Sequence, residues 1–348
     1  MMRAAVLEKI GSLRLKQVPV PEPGPGEVLV RIEANTICGT DLRIISGAKT
    51  AGVRPGVILG HEFAGRVAAV GRGVDGVPVG AQVTCSIVVS CQRCRACLSG
   101  REQLCENLVL FGYELDGGLA EYLLVPRIAM DHGNLVVLEK EIPATTLALA
   151  EPVSCCLNGA GQVAVAPGES VVVLGTGPIG LLHIALAKLA GATTILAAGR
   201  EGRLAAATDF GATCAVALTG EALTDEVRER TNGRGADVVI VAVGDLALAN
   251  QALELAAIGG RVNYFAGFPK GKTASIDPNL IHYRELAVTG GSNARRADVR
   301  RAVELLSSGA LDVGRLVTHR FPLAELDAAV TAVARRDGLK VAVVPVAG

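Results

Sequence analysis

Between residues 150 and 290 the chain alternates short, wholly apolar runs with stretches of helical spacing. Val171 to Leu174 is a β-branched run bounded by turn residues, which predicts a strand buried on both faces of a parallel sheet. Helical spacing follows from Pro178 to about Gly191, a second apolar run covers Thr194 to Ala198, and a helix is expected from Arg203 to Phe210. The stretches "ADVVIVAVG" and "GGRVNYFAGF" continue the alternation. Together they predict a doubly wound α/β sheet over 150–288. Residues 1–149 carry instead short strand-like pieces rich in Val, Gly and Pro, as a β-rich domain would. The remaining segment, 289–348, contains "RRADVRRAVELLSSG", a helix with an Ala/Val core face and an Arg-rich solvated face.

The junction of the first strand and helix of the α/β region reads Gly175-Thr176-Gly177-Pro178-Ile179-Gly180. A G-x-G-x-x-G turn between strand and helix presents backbone N–H groups and a helix N-terminus to a pyrophosphate, so a dinucleotide is the expected ligand. The acid that usually ends the second strand and takes the ribose hydroxyls is missing. Ala198 stands in its place, followed by Gly199, Arg200 and Arg203. Loss of the carboxylate removes repulsion of a 2′-phosphate, and a nearby Arg pairs with it, so NADP(H) is expected over NAD(H). In the competing arrangement Arg200 caps the helix surface and Glu201 supplies the ribose contact.

Nine cysteines in a chain without an export leader point to a reducing cytoplasm, where clustered thiols bind metal more often than they pair. Cys91, Cys94, Cys97 and Cys105 are spaced C-x2-C-x2-C-x7-C. The spacing suits one tetrahedral ion, whereas a ferredoxin cluster would place the fourth cysteine earlier and follow it with Pro. A closed structural zinc lobe is therefore expected over about 85–110. Four thiolates leave no open position, so chemistry must lie elsewhere. "ICGTDL" holds Cys38, "GHEFAG" holds His61 and Glu62, and "LAEPVSCC" holds Glu151. Cys, His and carboxylate form a mixed set able to hold zinc while leaving room for water or substrate.

These motifs, with "GGLAEYLLVP" and "VVVLGTGPIGLLHIALAKLAGA", occur in an order that resembles the zinc-dependent medium-chain dehydrogenases, in particular their sorbitol/polyol and threonine dehydrogenase branch. The resemblance covers essentially the whole chain. It implies a GroES-like β-rich catalytic domain, to which 289–348 returns, with a Rossmann dinucleotide domain inserted. It implies two zinc ions per chain, the catalytic one taken by Cys38, His61 and a carboxylate, with Glu62 and Glu151 both eligible. Thr40 would pass the alcohol proton toward solvent, and the nicotinamide would lie along Val243, Gly244, Ala266, Gly267 and Phe268. Homodimers or homotetramers are implied as well. The expected reaction is hydride transfer between a secondary alcohol (polyol, cyclitol or sugar-like) and NADP. A threonine or amino-alcohol dehydrogenase, or a catalytically silent NADP-binding protein, are the alternatives. Two departures count against sorbitol itself: Ile44 stands where an aromatic is common, and Ser292-Asn293-Ala294 lacks the Arg that touches a polyol. "NLIHYREL" still resembles the polyol branch. Cys155, Cys156 and His282 are read as structural, and His132, His183 and His319 receive no role.

The bulk numbers narrow the partners. Formal net charge is +0 and aromatics are 3%, so neither electrostatic capture of nucleic acid nor base stacking is expected. No run of about 18 apolar residues suggests a membrane span.

Overall fold

The computed structural model describes residues 1–345. The chain divides into two compact units, one made of Met1–Ser154 with Asn293 onward, the other of Cys155–Ser292.

The first unit is built on a seven-stranded sheet. Val28–Ile37 is its longest strand, and all but two of its ten residues are buried. It pairs antiparallel with Glu62–Val70, with Tyr122–Val125 and with the late strand Lys340–Val344, which itself runs parallel to Val317–Pro322. Thr36 stands opposite Glu62, and Ile37 opposite Val341. Because side chains alternate at each step along a strand, this register decides which polar groups meet below the sheet. The helix Arg296–Ser307 buries Val299, Ala302, Val303, Leu305 and Leu306, as its spacing predicts.

The second unit is a six-stranded parallel sheet. Numbered along the chain from Ser170–Leu174, its strands lie in the order 3-2-1-4-5-6. This is the doubly wound topology, with its switch point between Ser170–Leu174 and Ala236–Val241, where ligands bind beyond the strands' carboxyl ends. The run Ser170–Leu174 is buried throughout. Pro178 opens the helix Pro178–Leu189 at its first position, where a missing N–H costs nothing. The helices Gly220–Arg230 and Ala247–Leu255 complete the alternation.

One backbone position sets the entry to the "GHEF" strand. Gly60 has φ +96°, and a Cβ there would lie 2.6 Å from Asn35 Oδ1 and 2.7 Å from the Leu119 amide nitrogen. Left-handed backbone plus backbone collision makes any side chain costly here. Gly60→Ala is expected to lower the unfolding free energy by about 1–3 kcal/mol, measured by denaturant unfolding. Gly161→Ala, in the helix Ala150–Val163 with nothing within 4 Å, should be neutral or slightly stabilising. Equal midpoints for the two variants would contradict this picture of the turn.

Candidate active site

Among the described residues two groups of metal-capable side chains form, both in the first unit. In the cysteine lobe the sulfurs of Cys91, Cys94, Cys97 and Cys105 all lie within 4.8 Å of one another. Cys94 Sγ is 3.5 Å from Cys97 Sγ and 3.9 Å from Cys105 Sγ. Four sulfurs about 2.3 Å from one tetrahedral zinc would be roughly 3.8 Å apart, so the lobe fits the ion. All nine cysteines are free thiols. Backbone amides of Cys91 and Asn107 point at Cys105 Sγ, at 3.2 and 3.3 Å, as suits a bound thiolate. Amides of Arg93 and Cys94 lower the Cys91 thiol to about 6, and burial pushes Cys105 up to about 12. The loop is braced from the helix Arg296–Ser307: Glu102 Oε1 accepts from the Arg296 amide at 3.0 Å.

The second group is Cys38, His61 and Glu62, whose ligand atoms also lie within 4.8 Å of one another. Cys38 ends the Val28–Ile37 strand and caps the helix Gly39–Ile45; His61 and Glu62 start the strand paired to it. Asp41 ties them together. One of its carboxylate oxygens accepts from the Cys38 amide at 2.9 Å, and the other lies 3.2 Å from His61 Nδ1. That arrangement fixes the ring and leaves Nε2 for a metal, the usual carboxylate–histidine device. Burial works against a proton on His61, yet Asp41 outweighs it, so without metal the imidazole titrates well above its ordinary range. Glu62 is 1% exposed, and both its oxygens are engaged by Lys340 Nζ, at 2.7 and 2.6 Å. Thr36 Oγ1 also donates to it through a short hydrogen bond. Burial disfavours the Lys340 ammonium, but the Glu62 charge wins and raises its pKa.

Glu151 sits in the first turn of Ala150–Val163 and is outside the group of three, although its charge is felt at the Tyr113 hydroxyl. The Thr40 hydroxyl has no protein hydrogen-bond partner among the described residues, so the group is open to a ligand. Ile44 is fully buried in the core with Ile37, Leu59 and Leu326, so it packs and does not face substrate. Asp41, Lys340, Thr36 and Tyr113 were not among the candidates. Asp41 was legible within "CGTD"; Lys340, 278 residues from Glu62, had no local signal.

In the second unit the glycine turn, 243–244 and 266–268 come together at the strand ends. A Cβ on Gly175 would meet Val243 at 3.0 Å, and one on Gly244 would meet the Gly267 carbonyl at 2.3 Å. A Cβ on Gly180 would strike the Gly175 carbonyl at 1.8 Å, so only glycine lets the helix start this close to the turn. The room at Gly199 is taken by Thr176, whose Oγ1 would be 2.0 Å from a Cβ there, rather than left for a phosphate. Ala198 is buried, Arg200 is exposed, and Arg203 Nη1 lies 3.8 Å from where a Gly177 side chain would begin. Arg203 therefore overhangs the glycine turn.

The family model for the alcohol dehydrogenase GroES-like domain matches residues 24–132, and that for the zinc-binding dehydrogenase matches residues 178–308. The chain belongs to the zinc-dependent medium-chain alcohol dehydrogenase family. It is 37% identical to the L-threonine 3-dehydrogenase of Pyrococcus furiosus over 88% of this chain and 87% of that protein. Its structure resembles a zinc-binding dehydrogenase from Sinorhizobium meliloti solved bound to NADP, with TM-score 0.91, 36% identity and 99% of each chain covered. It also resembles the 2R,3R-butanediol dehydrogenase of Bacillus subtilis, with TM-score 0.90, 28% identity, and 99% and 100% covered.

Substitutions at two buried positions test this account of the dehydrogenase. Lys340→Met leaves a carboxylate buried without its cation and should cost about 3–5 kcal/mol of stability, most of it recovered in Lys340→Met/Glu62→Gln. A thermodynamic cycle by chemical denaturation checks this; additive losses would refute the pairing. His183, on the cofactor helix, is buried with both ring nitrogens unpartnered, and burial lowers its pKa to about 3. The unfolded chain takes up a proton there below about 6.5 that the folded chain refuses. Stability is therefore lost as pH falls from about 6.5 to 3, by up to roughly 1.4 kcal/mol per pH unit from this group. His183→Leu should flatten that part of the stability curve and leave it unchanged above pH 7.

Proposed function

We propose that this family member oxidises a secondary alcohol with NADP+, using a metal centre made by Cys38, His61 and a carboxylate. The observation that carries it is the convergence of half-buried Cys38 with buried His61 and Glu62, beside an unpartnered Thr40 hydroxyl. Zinc, when bound, supplies a Lewis acid for the alcohol oxygen, and the nicotinamide accepts the hydride. The chain's own residues do the rest. Asp41 holds His61 in the tautomer that offers Nε2. Lys340 neutralises Glu62 and Thr36 donates to it, while Glu151 is the second eligible carboxylate, to hold water or complete the set. Thr40 takes the alcohol proton and passes it on. The cysteine lobe would carry a second, structural zinc.

Arg200 and Arg203 would receive the 2′-phosphate of NADP, supported by the missing acid at Ala198 and by the NADP-bound relative. For the substrate, a polyol or cyclitol is the first reading. L-Threonine is the second, favoured by the curated relatives, of which the Pyrococcus protein is one. The edge strand Ala287–Gly290, with Val288 38% exposed, offers an edge for a homodimer or a homotetramer. Among the described residues no helix is long and apolar enough to cross a membrane, and free thiols suit a cytoplasmic protein.

Parallel fluorescence titrations with NADPH and NADH test the cofactor assignment. NADPH should bind roughly 10- to 100-fold tighter, and Arg200→Ala should remove most of that margin. Tighter NADH binding would overturn it. Metal analysis should find two zincs per chain, falling to one in Cys38→Ser; one in the unaltered protein would mean that only the lobe is loaded.

A further inference from the structure

We propose that the substrate carries an anionic group, a carboxylate or a phosphate, and that Lys49 receives it against the ring of Tyr113 beside the mixed metal centre. The proposal rests on the alcohol-dehydrogenase reading above and adds the chemical class of its substrate.

The Tyr113 ring is shared. Its centroid is 5.4 Å from that of His61, and Lys49 Nζ lies over the same ring at 5.3 Å from its centroid. One aromatic side chain, 7% exposed, thus links the imidazole of the metal site to the half-buried Lys49. Lys49 has no carboxylate within ion-pair distance among the described residues. Asp41, on the helix before Lys49, and the two acids that follow Tyr113 closely in sequence have other partners. Asp41 serves Cys38 and His61, Glu114 accepts from the Leu110 amide, and Asp116 pairs with Arg54. Arg43, whose carbonyl accepts the Lys49 amide at 2.9 Å, is exposed and has no ion pair either. In a chain whose 34 basic and 34 acidic residues balance, the turn from Arg43 to Arg54 carries a local positive surplus next to the reacting position.

An ammonium laid on an aromatic face is partly stripped of water, and a ligand anion restores what it lost. A neutral polyol hydroxyl would not need a full charge; uncharged donors serve it. The aromatic wall holds the long Lys stem in one region, so the anion and the carbinol carbon are fixed relative to each other. The alternative, that Lys49 merely covers Tyr113 with its methylenes, predicts that removing the charge while keeping the stem changes nothing.

The test uses the zinc-loaded enzyme with NADP+ and two matched substrate pairs. One is L-threonine against 1-aminopropan-2-ol, its counterpart without the carboxylate; the other is sorbitol 6-phosphate against sorbitol. The member that bears the anionic group should be preferred in kcat/KM by tenfold or more in one pair, and which pair shows it tells carboxylate from phosphate. Lys49→Met should cost that substrate roughly 10- to 100-fold, mainly through KM, and leave neutral alcohols within about twofold. Lys49→Arg should keep most of the preference. A member lacking the anionic group used as well as its partner, or a Lys49→Met loss equal for both, overturns the proposal while the dehydrogenase reading stands. If neither pair is oxidised and no other alcohol is, although NADPH still binds, both fall together.

Discussion

Everything at the mixed centre hangs on the alignment of three strands. With Thr36 opposite Glu62 and Ile37 opposite Val341, the residue after Ile37 is Cys38, the residue before Glu62 is His61, and the residue before Val341 is Lys340. A slip of one position would turn each side chain to the other face and leave Glu62, Lys340 and His61 buried without partners. Burying such groups is tolerable only because each finds its counter-charge: Glu62 with Lys340 and Thr36, and His61 with Asp41. Gly60 and the strand Val28–Ile37 therefore act on chemistry as much as on folding.

The two candidate metal sites differ in how they are held. Around the mixed site the sheet supplies the order, so its ligands are positioned before any ion arrives. The cysteine lobe has little regular structure: a two-residue ladder between Val88–Val89 and Val109–Leu110, the single helical turn Arg95–Leu98 and the 3-10 turn Glu102–Leu104; it leans on the bracing from Arg296. Ordering such a loop is the kind of task a structural metal performs, since binding free energy then becomes folding free energy. The closed four-sulfur set suits that task, and the three-residue set, with an open neighbourhood and a spare hydroxyl at Thr40, suits turnover.

Much of this was legible along the chain because the signals are local. The C-x2-C-x2-C-x7-C run and the glycine turn need only their own few residues to declare their geometry, and the apolar runs at Val171 and Thr194 became the strands expected of them. What stayed hidden was tertiary. Lys340 reads as the charged start of an ordinary strand, and only pairing across nearly the whole sequence places it on Glu62. Ile44 occupies a position suggestive of substrate contact, yet helical phase turns it into the core. Gly199 suggests space for a phosphate, whereas Thr176 fills that space. Tyr113 and Lys49, 64 positions apart by number, meet through the loop packing around "GHEF".

The most direct measurement is anomalous diffraction at the zinc edge from crystals of the purified protein. Two peaks per chain are predicted, one at the centre of Cys91, Cys94, Cys97 and Cys105, the other against Cys38 Sγ and His61 Nε2 with Asp41 on the far side of the ring. A single peak in the lobe, from protein that binds NADPH and was supplied with zinc throughout, would contradict the assignment of the mixed site as the working centre.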